Sequence, residues 1–158
     1  FNMSKGPWDM SMFWNGSIGN DIADYTALYY ESPYFFNGNR STVVLDSWTP
    51  TNLGADLPAL SETTLNNEFT SMNSFFVRDG SYVRLRTLQI GYTLDDSLAA
   101  KIGAKSARVY YNGTNLLTLT DFRGLDPEVP RGGALDIGVY SSQYPTQSLS
   151  SLGINIKF

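Results

Sequence analysis

Two carboxylates separated by one residue, Asp126 and Glu128, come nearest in this chain to a spacing that could do chemistry. A glycosidase needs two carboxyl groups held on opposite sides of a bond, and nothing in the sequence fixes these two in that way. A calcium ion needs several more oxygen ligands at defined spacing, and adding Asp121 and Asp136 does not complete such a set. We therefore expect Asp126 to brace its loop through hydrogen bonds to backbone amides, with neither catalysis nor a bound metal.

Aromatic side chains in two long segments without regular periodicity form the second group. Sugar rings stack on exposed aromatics, and protein interfaces are enriched in Tyr and Trp. The aromatics concerned are Tyr29, Tyr30, Tyr34, Phe35, Phe36, Trp48, Tyr140 and Tyr144. The candidate contacts to a substrate or partner are Tyr34, Trp48, Asp126, Glu128, Tyr140 and Tyr144. For each of them, packing inside its own loop remains the alternative.

Cysteine and histidine are both absent, which removes disulfides, thiolate metal sites and the commonest general base. The net charge of −4 gives no electrostatic basis for binding nucleic acid. No apolar run reaches the roughly eighteen residues of a transmembrane helix. We expect no enzyme, no cofactor and no nucleic-acid partner.

Alternating apolar and polar residues predict long β-strands over 8–18, 75–94, 107–120 and 150–158. They are long enough to cross a bilayer, which takes about nine to eleven residues. Short connections alternate with two long loops, as is typical of outer-membrane barrels. The sequence thus predicts an all-β fold, a segment of an antiparallel transmembrane β-barrel with two long extracellular loops. Unpaired strand edges cannot face lipid, so other strands of the polypeptide must complete the barrel.

Shorter elements accompany these strands. The sequence predicts a helix over 21–31, a strand over 42–45 and a short capped helix over 95–103. Residues 1–3 precede a Lys-Gly-Pro turn and are expected to be the tail of a strand. The chain also begins without methionine or a signal peptide, so we expect it to be a piece of a longer polypeptide.

The final strand is apolar on one face, with Leu152, Ile154, Ile156 and Phe158 expected to meet lipid. The competing prediction is a soluble β-sandwich carbohydrate-binding module, which would bury that face against a second sheet. Tyrosines near the strand ends, together with Phe158, are expected to form an interfacial belt: Tyr82, Tyr92, Tyr110 and Tyr111.

Arg84 and Arg86 occupy, by simple alternation, the strand face that Leu88 and Ile90 use later. We expect them to mark the outer boundary of the hydrocarbon zone. Binding of an anionic substrate or of lipopolysaccharide is the alternative.

Several blocks carry a family resemblance when they are taken together and in order. Residues 80–94 (GSYVRLRTLQIGYTL) resemble the penultimate conserved block of SusC/RagA-type TonB-dependent outer-membrane transporters, and 153–158 (GINIKF) resemble the terminal strand. The other similar blocks, in the family's order, are 15–21 (NGSIGND), 48–52 (WTPTN), 115–119 (NLLTL), 124–128 (GLDPE) and 144–145 (YP). The match covers nearly the whole chain.

The resemblance implies that residues 1–158 are the C-terminal part of such a transporter. They would form about the last four strands of a barrel of about twenty-two, without the plug and the N-terminal strands. It implies TonB-energised uptake of a glycan or an oligopeptide, with a SusD-like surface lipoprotein as a lid. The expected partners are the rest of the barrel, this lipoprotein, TonB (through the absent N-terminal part) and outer-membrane lipid. Phe158 is implied to be the signal that the outer-membrane assembly machinery recognises. A non-transporting adhesin barrel remains a third alternative.

Overall fold

The computed structural model describes residues 1–32, 38–60, 71–129 and 136–158. These residues are mostly β-structure with few helices. Among them, no helix is both long and apolar enough to cross a bilayer. In chain order the α-helices and strands are β1 (Asn2–Lys5), β2 (Trp8–Ser17), β3 (Asp21–Asp24), α1 (Tyr25–Glu31), β4 (Val77–Asp79), β5 (Tyr82–Thr93), α2 (Asp96–Lys101), β6 (Ser106–Thr120), β7 (Val139–Tyr140) and β8 (Leu149–Lys157).

The chain divides into two compact units. The strand unit comprises residues 1–18, 82–120 and 145–158, and the loop unit comprises residues 19–81 and 121–144. The two long segments of the sequence therefore do not form separate loops, because both belong to one unit with its own packing.

The strand unit is a five-stranded sheet in the order β1-β2-β5-β6-β8, and every neighbouring pair is antiparallel. The predicted strands over 8–18, 107–120 and 150–158 are confirmed as β2, β6 and β8, and β5 is the second half of the strand predicted over 75–94. The turn between β1 and β2 places Gly6 at a φ of 57°, a conformation that glycine adopts without strain. The predicted helix over 95–103 is confirmed as α2, which has Asp96 in its first turn and Lys101 in its last.

The sheet has one apolar and one largely polar face, because side chains of directly paired residues point to the same side. The apolar face carries Trp8, Met10, Met12 and Trp14 of β2, Val83, Leu85, Leu88, Ile90 and Tyr92 of β5, Val109, Tyr111, Leu117 and Leu119 of β6, and Leu152, Ile154 and Ile156 of β8. Tyr92 packs edge-to-face on Trp8 at 4.8 Å between ring centroids, close to one strand end. Tyr82 and Tyr110 lie on the polar face, so the expected belt does not include them.

A β-bulge overturns the expectation that Arg84 shares a face with Leu88. Thr87 pairs with Phe13 and Leu85 with Trp14, so Arg86 is an extra residue in β5. An extra residue inverts the alternation beyond it. Arg84 therefore lies on the polar face and does not mark an apolar boundary. It is only 2% exposed, and its Nε donates a hydrogen bond to Thr118 Oγ1 at 2.9 Å.

The loop unit contains a three-stranded sheet in the order β4-β3-β7, in which β3 and β7 are parallel. Two small clusters of buried side chains hold it together. One consists of Ile22, Phe122 and Tyr140, and the other of Ala27, Leu28 and Phe76. Within this unit, residues distant in sequence pack on one another, which the two stretches of irregular periodicity did not reveal.

Three predicted elements differ in the loop unit. Residues 21–31 are not one helix, because the first four pair with β4 and β7 and only Tyr25–Glu31 is helical. Thr42–Asp46 is a 3-10 helix instead of a strand, since the Ser41 hydroxyl accepts a hydrogen bond from Val43 N and caps the turn. The predicted strand over 75–94 is interrupted, because β4 ends at Asp79 and belongs to the loop unit.

Asp24 is the N-cap of α1, and its Oδ1 accepts a hydrogen bond from Ala27 N at 3.0 Å. Burial raises the pKa of Asp24, against the opposing effects of the Ala27 and Thr26 backbone hydrogen bonds and of Arg78. The protonated carboxyl therefore adds stability below its unfolded pKa, and this contribution is lost as pH rises through the higher folded pKa.

We expect Asp24→Ala to destabilise the loop unit by about 1 kcal/mol through loss of the cap. Asp24→Asn should be close to wild type, because an amide oxygen also caps a helix and no charge is buried. The stability of the Asn variant should also lose its dependence on pH just above 3.8, the ordinary pKa of an Asp carboxyl group. Hydrogen exchange of the α1 amides in the full-length protein measures both effects. Equal protection in the two variants would contradict the capping role.

Candidate functional site

The loop unit contains an open cleft of about 540 Å³, a volume within the range of small-molecule and peptide pockets. Leu57 and Phe122 are buried, Val43 and Phe75 are half-buried, and all four line it. Phe122 belongs to one of the two buried clusters, and Phe75 packs against the other. The apolar walls are thus fixed by the same packing that holds the unit together.

Charged side chains complete the cleft. Arg78 Nη2 donates to Glu31 Oε2 at 2.8 Å, and its guanidinium carbon lies 5.5 Å from the centroid of the Phe75 ring. The exposed charged residues in the lining are Asp56, Asp79, Asp121 and Arg123. The pKa of Asp79 lies below its ordinary value, because Ser81 donates hydrogen bonds to it from its hydroxyl and its backbone N–H. This carboxylate therefore stays ionised.

The predicted carboxylate pair lies in a different part of the loop unit. Asp126 is buried, and its Oδ1 accepts a hydrogen bond from Glu128 N at 2.9 Å. The expectation that Asp126 braces its loop is confirmed. Among the side chains that the structure describes, no three His, Cys, Asp or Glu residues converge as metal ligands would.

Tyr140 is only 2% exposed, so its ring lies inside the loop unit and not at a surface. It packs edge-to-face on Phe122 at 5.1 Å, and its hydroxyl accepts a hydrogen bond from Leu125 N at 2.9 Å. The ring and the hydroxyl of Tyr140 both contact groups inside the loop unit. Of the two possibilities given for this residue, internal packing therefore holds and a substrate or partner contact does not.

The remaining predicted contact residues are scattered. Trp48 and Tyr144 are exposed, but neither lines the cleft. Tyr34 lies outside the described residues. Phe158 is exposed beyond the end of β8, and its role as an assembly signal stays a prediction.

No family model matches the chain. TonB-dependent receptor P3 of Formosa agariphila is 35% identical over 159 aligned residues, which cover 96% of this chain and 15% of the receptor. Receptor P26 of the same organism is 34% identical, over 95% of this chain and 15% of its own length. This chain belongs to the TonB-dependent receptors.

Solved structures agree with this family. The RagAB peptide transporter matches with a TM-score of 0.76 and 27% identity, over 96% of this chain and 16% of that chain. The RagAB peptide importer in its closed-closed state gives a TM-score of 0.75 and 26% identity. TonB-dependent receptors are outer-membrane proteins of Gram-negative bacteria, and this chain has the same location. It spans only about 15% of the length of its curated relatives.

The polar face of this receptor segment carries an ion pair that bridges three strands. Arg108 of β6 reaches across Gly91 of β5 to Asp9 of β2, with Nε 2.9 Å from Oδ1. The same guanidinium lies 5.1 Å from the centroid of the Tyr110 ring. A Cβ on Gly91 would overlap the Arg108 guanidinium, so a side chain there would displace the guanidinium from its present position.

We expect Gly91→Ala and Arg108→Ala to lower the unfolding temperature of the full-length receptor, each by breaking this pair. In the Arg108→Ala background, Gly91→Ala should then have no further effect, because the group that it displaces is already absent. The unfolding temperatures of the two single variants and the double variant, measured in detergent, test this expectation. Gly54→Ala is the control, because a Cβ there meets no atom within 4 Å. Additive losses would show that Gly91 acts independently of the pair.

The sequence did not reveal the cleft of this receptor segment. Its lining comes from five places along the chain, and no local pattern connects Glu31, Asp56 and Arg78. Asp121 was noted only as a neighbour of the Asp126 pair. The one usable signal was the break of alternation at Gly80, after the Phe-Phe-Val-Arg-Asp stretch that supplies Phe75, Arg78 and Asp79.

Proposed function

We propose that this chain forms wall strands and two extracellular loop segments of an outer-membrane importer of a large nutrient. Residues 1–158 would be the C-terminal part of its barrel domain, and the rest of the polypeptide would supply the plug and the other strands. Because the chain covers about 15% of its relatives, the activity belongs to the whole protein.

The observation that carries this proposal is the exposed apolar face of the sheet. Leu152 is 80% and Ile154 is 65% exposed, and the opposite face is largely polar. This arrangement fits strands between lipid and an aqueous lumen. The competing β-sandwich needed the same residues to be buried against a second sheet, so their exposure argues against it.

The direction of the strands supports the assignment of sides. β2 and β6 lead into the two segments of the loop unit, and their last residues, Ser17 and Thr120, both pair with Tyr82 at the start of β5. The connection through Gly6 and the connection through α2 leave the opposite end of the sheet. Short periplasmic turns and long extracellular loops are the rule in outer-membrane barrels. The loop unit would therefore face the outside of the cell.

The cargo would be a glycan or an oligopeptide, and the partners are part of the proposal. The RagAB neighbours are described as a peptide transporter and importer, which favours a peptide. A SusD-like surface lipoprotein would cover the loop unit, TonB would act through the part of the protein absent from this chain, and outer-membrane lipid would contact the apolar face. Of the predicted contact residues that the structure describes, Trp48 and Tyr144 are the exposed ones.

Replacing both segments of the loop unit by tight turns in the full-length protein tests the proposal. We expect the variant to reach the outer membrane, to lose the surface lipoprotein on purification and to lose uptake of its nutrient. Growth on that nutrient at the wild-type rate would contradict the role of the loop unit, and retention of the lipoprotein would contradict the lid. Full solubility of the whole protein without detergent would contradict the barrel.

A further inference from the structure

We propose that the cleft of the loop unit binds a basic side chain, lysine or arginine, of a peptide. This inference rests on the proposed importer role and narrows its cargo from large nutrients to peptides with basic residues. None of the described residues predicted as contacts lines this cleft, so it is a separate site.

The walls of the cleft suit an aliphatic chain. Leu57 and Phe122 are buried within the unit, so the surfaces that they present to the cleft are held in place by packing. Lysine and arginine carry long methylene stems that lie along apolar surface while their charged heads stay in water. A cleft with apolar walls and a charged rim matches that division.

The charge of the cleft selects a cation. Arg78 is already paired with Glu31, and its guanidinium stacks near Phe75. The exposed rim then has three carboxylates and one guanidinium, which leaves two negative charges in excess. Within the described part of the chain, neither Asp56 nor Asp121 has an ion-pair partner. An ammonium or guanidinium group is the ligand that this rim complements.

The same arrangement disfavours other cargo. Uronic acids and sulfated sugars are anionic, and the rim would repel them. A neutral sugar ring would stack on an aromatic face, but the Arg78 guanidinium already lies over one face of Phe75, and Phe122 is buried. A basic peptide uses both the walls and the rim.

Binding to the full-length transporter purified in detergent tests the inference. The probes are short peptides of one alanine–glycine sequence with lysine, norleucine or glutamate at the centre. We expect the lysine peptide to bind about fivefold more tightly than the norleucine peptide, as one exposed ion pair provides. The glutamate peptide should bind most weakly, and the differences should shrink as salt is raised.

Two variants separate the rim from the walls. The double variant Asp56→Asn with Asp121→Asn should remove the lysine preference and leave the affinity for the norleucine peptide unchanged. Val43→Trp should fill the cleft and weaken both peptides together. The double variant Asp46→Asn with Asp136→Asn is the matched control, because it also removes two charges, from exposed residues of the same unit that do not line the cleft. The unfolding temperature of each variant checks that the fold is kept.

The inference is overturned if the three peptides bind equally, if the double variant keeps the lysine preference, or if a glucosamine oligomer binds and the lysine peptide does not. Binding in detergent requires neither a membrane nor TonB. If the importer proposal is wrong, the wild-type protein will support no uptake of the nutrient, but the lysine peptide will still bind in detergent. Failure of the present inference would appear as intact uptake of the nutrient with no dependence on the rim carboxylates.

Discussion

Leu152→Arg in the full-length protein is expected to prevent most of its assembly into the outer membrane, whereas Ser151→Arg is expected to have little effect. Leu152 lies near the middle of β8 on the apolar face, and its side chain is 80% exposed. A cationic side chain on the lipid face costs about 2–4 kcal/mol at the bilayer midplane. Ser151 lies one residue earlier but on the polar face, where its Oγ donates to Asn112 O at 3.3 Å.

These two substitutions form a matched pair because they add the same side chain at nearly the same depth. The fraction of folded protein in isolated outer membranes, measured by its resistance to unfolding in cold detergent, gives the result. A second pair, Ile154→Arg on the apolar face and Asn155→Arg on the polar face, repeats the comparison further along β8. Equal losses from both members of each pair would show that the two faces do not meet different solvents.

The strand unit could be predicted closely because period-two alternation is a local property. Residues 150–158 alternate without interruption, and the structure gives their two faces as expected. Arg84 was assigned to the wrong face for a specific reason. The bulge at Arg86 depends on how β5 pairs with β2 and β6, and Asn115 of β6 takes up a φ of 51° beside it. Pairing between strands is not visible in the sequence of one strand.

The loop unit was much less predictable, because its elements are short and its contacts are distant in sequence. β7 has two residues and pairs in parallel with β3, which lies more than a hundred positions earlier. The buried position of Tyr140 follows from that pairing, whereas the sequence alone left open whether its ring packs inside the loop or contacts a partner. The cleft likewise exists only once residues from both segments have packed.

Phe76→Ala is expected to lower the unfolding free energy of the loop unit by about 3–5 kcal/mol. Phe76 is 0% exposed, packs with Ala27 and Leu28, and meets Phe75 edge-to-face at 5.2 Å. Removing the ring leaves a cavity in a cluster of only a few buried side chains, so few neighbouring side chains can move to fill it. Because domains are typically stable by only about 5–15 kcal/mol, a loss of this size leaves the loop unit partly unfolded.

The strand unit contains no part of this cluster, so we expect Phe76→Ala to reach the outer membrane in normal amounts but to lose uptake. Limited proteolysis of intact cells should cut the loop unit of the variant much faster than that of the wild type. Leu45→Ala is the control, since Leu45 lies in the same unit and is exposed. Slow cleavage of the Phe76→Ala protein, equal to that of the control, would show that this cluster does not hold the loop unit together. Fast cleavage with undiminished uptake would show that import does not require an ordered loop unit.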